Sequence, residues 1–223
     1  MSPVTRGILS RVFFIKAAKY GTAFTLDVGG EEYLVTARHL FDLAVDNREV
    51  LLFRNKQWMP HELRGLIFSR SEADIAVMRL QQRLTHADFV VNPTTQGMVL
   101  GQDIYILGFP HLMHTDVGDL LGGNPAPLVK RGTASNIGGG DPEVFYVDTL
   151  SNVGFSGGPL VFSAPSSPGD VRIAGVISGF KTYHEPVIGK DGKPTGDIVE
   201  LNTGLLMAYG IKHALGLIER MPK

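Results

Sequence analysis

The segment "SNVGFSGGPLVF", residues 151–162, places one serine among glycines and then continues into an apolar run. The glycines beside Ser156 allow the backbone to turn sharply and keep bulky groups away from its hydroxyl. They also leave the amide of Gly154 free to point at a bound group. Glycine-rich loops that contain a serine are common, so the partners of Ser156 elsewhere in the chain decide whether it is a nucleophile.

Two residues upstream have the chemistry that a nucleophilic serine requires. Such a serine needs a base within hydrogen-bond distance, a carboxylate that orients the base, and donors for the oxyanion. The candidate base is His39 in "LVTARHLFD", at the end of a strand-like run, and the candidate carboxylate is Asp74 in "SEADIAVMRL", at the head of an apolar run. Taken singly, His39 also fits a packed strand-end histidine and Asp74 a strand cap. It is their occurrence together with Ser156 that favours catalysis.

Short apolar or alternating runs recur on both sides of residues 82–98, about six on each side. The first set comprises "RVFFIKA", "GTAFTLDV", "EEYLVTA", "EVLLFR", "HELRGLIF" and "DIAVMRL"; the second includes "DIYILGF", "LVKRGTAS", "EVFYVDT", "GPLVFS", "VRIAGVIS", "EPVIG" and "DIVELNTGLLMA". Regular strand spacing with little helix is typical of barrels and sandwiches. The turn that contains Gly29 and Gly30 predicts a hairpin between two of these runs. In "YGIKHALGLIER" the apolar residues recur at helical spacing, which predicts a helix at the C-terminal end.

The composition excludes several classes of protein. The chain has 223 residues, a net charge of −1 and no cysteine. The absence of cysteine rules out a disulfide scaffold, a thiol nucleophile and a cysteine-ligated zinc. The near-neutral charge offers no field that would attract nucleic acid or an acidic membrane. His111 and His114 have no strong third ligand beside them, so no metal and no cofactor are expected.

The N-terminal stretch "MSPVTRGILSRVFFIKAAKY" does not resemble a signal peptide, because Arg11 and Lys16 interrupt its apolar part. No apolar run approaches the length of about 18 residues that a spanning helix needs. We therefore expect a cytoplasmic protein.

The motifs around the three candidate residues resemble those of the trypsin-like (chymotrypsin-fold) serine proteases. "TARH", "DIAVMRL" and "GFSGGPL" stand in that family's order of histidine, aspartate and serine. "ILGFP", "VKRGTAS", "VDTLSNVGFSGGPL" and "NTGLLMAYGIKHAL" are similar to segments of its bacterial HtrA/Deg branch. The resemblance covers roughly residues 8–218, and the chain ends too soon to hold the PDZ module that usually follows.

The resemblance implies an all-β fold of two six-stranded antiparallel β-barrels and a C-terminal α-helix. Residues 1–223 would be one peptidase unit, with barrels at about 8–82 and 98–206, a helix at about 209–220 and the active site between the barrels. It further implies a serine endopeptidase that acts on a polypeptide substrate. Ser156 would attack, His39 would act as general base and acid, and Asp74 would orient His39. The amides of Gly154 and Ser156 would form the oxyanion hole.

The same resemblance assigns the substrate-binding residues. In "GVISGF", Ser178 corresponds to a serine beside the buried aspartate, and Ser178, Gly179 and Phe180 to the edge strand that pairs with substrate backbone. Leu150, six positions before Ser156, would form the base of the S1 pocket. With Leu150 at the base and Phe180 at the entrance, the pocket would be shallow and apolar, suited to Val, Ala, Ile or Leu at P1.

Phe155 departs from the family pattern, which has Asp or Asn before the serine. Phe155 cannot pair with a freed amino terminus, so we expect any regulation to act through the oxyanion loop and its neighbours, especially residues 111–128. It also keeps open the alternative of a catalytically inactive or latent protease-fold binding module. A third alternative is an α/β-hydrolase esterase, since residues 154–158 also match G-x-S-x-G. That fold requires a helix after the serine, whereas Pro159 and a strand-like run follow here.

Overall fold

The apolar and alternating runs of the N-terminal half form one closed antiparallel barrel. The computed structural model describes residues 4–44 and 49–222. A short helix, α1 (Arg6–Leu9), precedes the barrel. The barrel strands are β1 (Val12–Lys16), β2 (Tyr20–Val28), β3 (Glu31–Thr36), β4 (Glu49–Arg54), β5 (Gln57–Phe68) and β6 (Ala76–Leu80). Their order is β1-β2-β3-β6-β5-β4, and β4 pairs again with β1.

The predicted β2–β3 hairpin is confirmed. Val28 pairs with Glu31, and the two residues between them, Gly29 and Gly30, have φ of +61° and +84°. Positive φ at both central positions is the geometry whose twist matches that of the flanking strands.

The runs of the C-terminal half form a second barrel. Its strands are β7 (Asn92–Pro93), β8 (Asp103–Gly108), β9 (Leu128–Asn136), β10 (Val144–Asp148), β11 (Pro159–Ser163), β12 (Val171–Ile188) and β13 (Pro194–Gly210). The sheet order is β11-β8-β9-β10-β13-β12-β7, and β11 also pairs with β12. This pairing closes six strands into a ring, with the short β7 added in parallel to β12. The predicted double-barrel fold is confirmed.

Three apolar clusters show how the barrels are held together. One cluster lies inside the first barrel and another inside the second. The third contains side chains of both, among them Phe14, Phe24, Leu107 and Tyr209, and forms the core between the barrels. His39 and Asp74 belong to the first barrel and Ser156 to the second. The packing of one barrel on the other therefore sets the distances between these residues.

The C-terminal helix α2 (Ile211–Arg220) is also confirmed, and it packs against this shared core. Its buried residues are Ile211, Ala214, Leu217 and Ile218. The helix begins at residue 211 rather than at about 209, because Tyr209 and Gly210 continue β13 and pair with β12. No helix in residues 4–44 or 49–222 is long and apolar enough to cross a membrane.

The structure differs from the strand pattern of the sequence at the β12–β13 hairpin. "VRIAGVIS" and "EPVIG" are separate runs in the sequence, but both belong to the single 18-residue strand β12. The residues between them lack an apolar pattern because this half of the hairpin projects from the barrel and is exposed on both faces.

Candidate active site

His39 lies immediately after β3, where the strand ends in a short 3-10 turn (Arg38–Leu40). Ala37 and Leu40 on either side of it are buried in the core of the first barrel, and the imidazole is left 39% exposed. The neighbouring apolar residues therefore anchor the turn and leave the ring at the protein surface. This is the strand-end placement that the sequence predicts for a base facing a cleft.

Asp74 lies just before β6, which pairs with β3, so the sheet brings Asp74 next to His39. Its Oδ1 accepts a hydrogen bond from the backbone amide of His39 at 2.9 Å, and its Oδ2 lies 2.5 Å from His39 Nδ1. The hydroxyl of Ser178 donates to the same Oδ2 at 2.7 Å. An ionised carboxylate only accepts hydrogen bonds, so Nδ1 carries the proton and the unprotonated Nε2 is on the opposite side of the ring.

The protonation state of Asp74 follows from these contacts. Burial alone would raise the pKa of Asp74, but the hydrogen bonds from His39 and Ser178 outweigh burial and hold this pKa below its ordinary value. Asp74 is therefore ionised at neutral pH. A carboxylate in this position keeps His39 in one tautomer and fixes the orientation of its ring.

Ser156 belongs to the second barrel, in the loop between β10 and β11. It lines a cleft of about 800 Å³ together with His39, and residues of both barrels form the walls. Its hydroxyl donates to the carbonyl oxygen of Ser178 at 3.0 Å. Among the described residues no hydrogen bond joins Ser156 to His39. Rotation about χ1 of Ser156 is needed to direct the hydroxyl to the imidazole, and catalytic hydrogen bonds of this kind often form only when substrate binds.

The backbone before Ser156 is held in one orientation by two long-range hydrogen bonds. The amide of His111 donates to the carbonyl of Val153 at 2.9 Å, and the hydroxyl of Thr22 donates to the carbonyl of Gly154 at 2.7 Å. Because a peptide unit is planar and trans, fixing the Val153 carbonyl directs the Gly154 N–H the opposite way. Within the described part of the chain neither the Gly154 nor the Ser156 amide donates a hydrogen bond. Both donors are therefore free to bind an oxyanion.

Phe155 anchors this loop by burial. Its side chain is fully buried in the core of the second barrel. A Cβ at Gly108 would lie 2.8 Å from the Phe155 ring, so the glycine makes room for it. The ammonium of Lys130 lies 5.9 Å from the ring centroid. Apolar packing therefore fixes the position of residue 155 in this loop.

The substrate-binding residues expected from the sequence are brought together only in part. Ser178, Gly179 and Phe180 lie in β12 and line the cleft beside Ser156. Leu150 does not line the cleft: the residue is 53% exposed, and its carbonyl accepts a hydrogen bond from Lys130. A leucine that is half exposed to solvent does not form a pocket floor.

Two residues of the site were not found from the sequence. Thr22 is fully buried in β2, and besides holding Gly154 it accepts a hydrogen bond from the Phe109 amide at 3.1 Å. His111 acts through its backbone amide and has a φ of +50°. Neither residue has a sequence signal, because an alternating strand and a histidine-containing loop are ordinary patterns. No group of three or more potential metal ligands occurs among the described residues.

The family model of the trypsin-like peptidase domain matches residues 21–164, which include His39, Asp74 and Ser156. The chain belongs to the trypsin-like peptidase family. The match confirms the resemblance seen in the motifs. It supports, at the general level of the family, a serine protease. The α/β-hydrolase alternative is wrong, because the fold is all-β and the strand β11 follows Ser156.

Solved structures of trypsin-like peptidases share the fold. The Rv3671c protease of M. tuberculosis, in an inactive form, is 16% identical, with a TM-score of 0.60 over 99% of this chain and 93% of that one. The serine endoprotease from Yersinia pestis is 16% identical, with a TM-score of 0.59 over 99% and 67% of the two chains. The HtrA-type protease AlgW with a tripeptide is 18% identical, with a TM-score of 0.58 over 96% and 62%. No curated protein sequence matches this peptidase-family chain significantly.

Proposed function

We propose that this protein is a serine endopeptidase with Ser156 as nucleophile, His39 as general base and acid, and Asp74 as the orienting carboxylate. The observation that carries the proposal is the contact between His39 and Asp74 beside a cleft that also holds Ser156. The free amides of Gly154 and Ser156 support an oxyanion hole in the same cleft. The substrate is a polypeptide, and the chemistry uses side-chain and backbone groups alone.

The reaction proceeds through an acyl-enzyme. Ser156 Oγ attacks the carbonyl carbon of the scissile peptide while His39 Nε2 takes the hydroxyl proton. The carbonyl oxygen becomes an oxyanion that the amides of Gly154 and Ser156 stabilise. His39 then gives the proton to the leaving amine, and the C–N bond breaks. Water, activated by His39, attacks the ester carbonyl to release the carboxylate product and regenerate Ser156.

A fluorophosphonate probe tests this proposal directly, because it phosphonylates only a serine that is activated by a base and an oxyanion hole. We expect wild-type protein to be labelled and Ser156→Ala and His39→Ala to be unlabelled. Ser166→Ala, at an exposed serine of the 163–170 loop, is the matched control and should label like the wild type. Labelling that persists in His39→Ala would overturn the assignment of the base.

A latent or inactive binding module is the second candidate, and one observation favours it. The Ser156 hydroxyl donates to the Ser178 carbonyl rather than to His39. In that case the wild-type protein would show no labelling, but peptides would still bind in the cleft. Isothermal titration calorimetry, in which peptides are titrated into the wild-type protein that did not react with the probe, then distinguishes a protein that binds peptides without cleaving them from one that does neither.

A preference for valine, alanine, isoleucine or leucine at P1 is also part of the proposal, and it rests on Phe180 because Leu150 does not line the cleft. Phe180 lines the cleft next to Ser178 and Gly179. A phenyl ring at the entrance of the pocket would limit the space for large residues. We expect Phe180→Gly to raise kcat/KM for phenylalanine at P1 about 10-fold or more relative to valine, since one or two methylene groups of fit are worth this much. Glu200 also lines the cleft, so Glu200→Gln is the control for attraction of basic residues.

Cleavage-site profiling on an unfolded protein mixture measures this preference. A majority of cuts after Arg or Lys in the wild type, lost in Glu200→Gln, would contradict the aliphatic assignment.

A cytoplasmic location is also part of the proposal. It rests on the basic residues Arg11 and Lys16, which interrupt the apolar part of the N-terminal stretch. Fractionation of cells that express the tagged chain tests it, and recovery with exported proteins would contradict it.

A further inference from the structure

A second cavity, separate from the cleft that holds Ser156, lies where the two barrels meet the chain that connects them. It has a volume of about 490 Å³, and none of its lining residues lines the cleft. Its walls come from α1 and the residue after it, the end of β4, the connection between the barrels at residues 83–89, and the loop at residues 120–124. A cavity of this size lies in the range of pockets that bind small molecules.

The walls of this cavity carry an excess of positive charge. Among the described residues, three arginines line it and no carboxylate does: Arg6 of α1, Arg54 of β4 and Arg83 of the connection. Arg83 is ion-paired with Asp27, whose other oxygen pairs with Arg11. Within the described part of the chain, neither Arg6 nor Arg54 has an ion pair. The whole chain has a net charge of −1, so this positive charge is local.

Most N–H donors of Arg6 and Arg54 have no acceptor within the described residues. A guanidinium has five N–H groups. Arg54 donates from Nε to the carbonyl of Gly122 at 2.8 Å, and Arg6 donates from Nη2 to the carbonyl of Leu120 at 3.1 Å. These are their only hydrogen bonds to the described residues. Both bonds hold the guanidiniums against the same loop, so a ligand has fewer side-chain conformations to restrict.

Arg83 and Ser10 supply further donors in the same cavity. Arg83 donates from Nε to the carbonyl of Thr85 at 3.1 Å and from Nη2 to Asp27, which leaves its Nη1 without an acceptor among the described residues. The hydroxyl of Ser10 lines the cavity and makes no hydrogen bond within that part of the chain. The walls therefore offer more donors and more positive charge than one carboxylate can satisfy.

We propose that this cavity binds a small organic molecule that carries two or more phosphate groups, with the phosphates held by Arg6, Arg54 and Arg83. The planar fork of arginine matches phosphate oxygens two at a time, and hydrogen bonds between two charged groups are the strong ones. Two unpaired guanidiniums, with a third that shares Asp27, require an anion of more than one charge. The inference does not depend on the proposed peptidase function.

The apolar part of the wall favours an organic ligand over an inorganic one. Leu84, Phe89, Leu120 and Leu121 line the cavity beside the arginines. Leu120 is 55% exposed, although its side chain is large and apolar. Inorganic phosphate would leave this surface in water, whereas a ring attached to the phosphates would cover it. Nucleoside di- and triphosphates have both parts.

Isothermal titration calorimetry on the full chain tests this inference with four probes: ATP, pyrophosphate, inorganic phosphate and acetate. EDTA is present so that no metal ion bridges the phosphates. We expect ATP to bind at least as tightly as pyrophosphate, inorganic phosphate to bind about tenfold more weakly than pyrophosphate, and acetate not to bind. Binding should weaken as the salt concentration rises, because salt screens exposed charges.

Substitutions of the arginines assign the site. Arg6→Gln and Arg54→Gln should each weaken ATP binding about tenfold, because each removes charge-assisted hydrogen bonds. Arg54→Lys keeps the charge without the planar fork and should restore only part of the affinity. Arg64→Gln is the matched control, because Arg64 is exposed on β5 and does not line the cavity. Thermal melts without ligand check that Arg54→Gln, which also loses the bond to Gly122, is folded; the exposed Arg6 supplies the second variant.

The outcomes distinguish a ligand site from a purely structural role of the arginines. If neither pyrophosphate nor ATP binds at millimolar concentration, or if Arg64→Gln weakens binding as much as Arg54→Gln, the inference is wrong. Binding of pyrophosphate that ATP does not share would also overturn it. Phosphatidylglycerol vesicles or a single-stranded oligonucleotide that bind through the same arginines more tightly than ATP would assign the cavity to a membrane or to nucleic acid instead. A wild-type protein that binds ATP but cleaves no peptide would support the inference and contradict only the peptidase proposal.

Discussion

His39→Ala is expected to lower kcat by about 10⁴- to 10⁶-fold, and Ser156→Ala by as much, because each removes a member of a group that acts as a unit. The double variant should be no worse than either single one. Asp74→Asn should cost about 10⁴-fold, since an amide in this position favours the wrong tautomer of His39. The measurement is steady-state cleavage of a peptide with valine at P1.

His86→Ala is the matched control for the loss of an imidazole. His86 is exposed, and like His39 it faces an aspartate, Asp88, at 3.4 Å, but it lies outside the cleft. The control should keep wild-type kcat. If the effects of His39→Ala and Ser156→Ala multiplied in the double variant, the two residues would act independently and the proposed mechanism would be refuted.

Gly154→Ala is expected to lower kcat by about 10²- to 10³-fold, the range found when one oxyanion-hole donor is lost. Gly154 has a φ of +108°, which side chains rarely adopt. A Cβ there would lie 2.9 Å from Cα of Pro110 and closer still to the carbonyl oxygen of Phe109. The loop must move to relieve this contact, and the Gly154 N–H moves with it.

Gly30→Ala separates backbone strain from loss of the donor. Gly30 also has a positive φ, +84°, but a Cβ there would contact nothing within 4 Å. Both variants should lose a similar part of their stability from backbone strain, and only Gly154→Ala should lose kcat and react slowly with a fluorophosphonate. Equal activity of the two variants would show that the Gly154 amide does not take part in catalysis.

Local patterns in the sequence were sufficient for the strands, the β2–β3 turn and the C-terminal helix, and the family resemblance added the double barrel. The β2–β3 turn needs two residues with positive φ, and Gly29 and Gly30 supply them within a single hairpin. The helical spacing of Ile211, Ala214 and Ile218 likewise lies within one element. Strand spacing, turn residues and helix periodicity depend on neighbours a few positions away, so they can be seen before any tertiary contact is known. The three candidate catalytic residues were found because each lies in its own short motif.

The supporting contacts of the site could not be found in this way. Thr22 and Gly154 are 132 positions apart. Ser178 and Asp74 are 104 positions apart, and only the family resemblance pointed to that contact. The exposure of Leu150 likewise depends on how the second barrel closes rather than on its distance from Ser156 in the sequence.

What the sequence by itself determined is the family, the double-barrel fold and the candidates His39, Asp74 and Ser156. Only the tertiary structure decided how the Ser156 loop is held and that Phe155 anchors it by burial. The physical reason is the range of the interactions. Backbone propensity and turn chemistry act between neighbours, whereas a buried polar group or an unpaired strand edge obtains its surroundings only when the two barrels close and pack together.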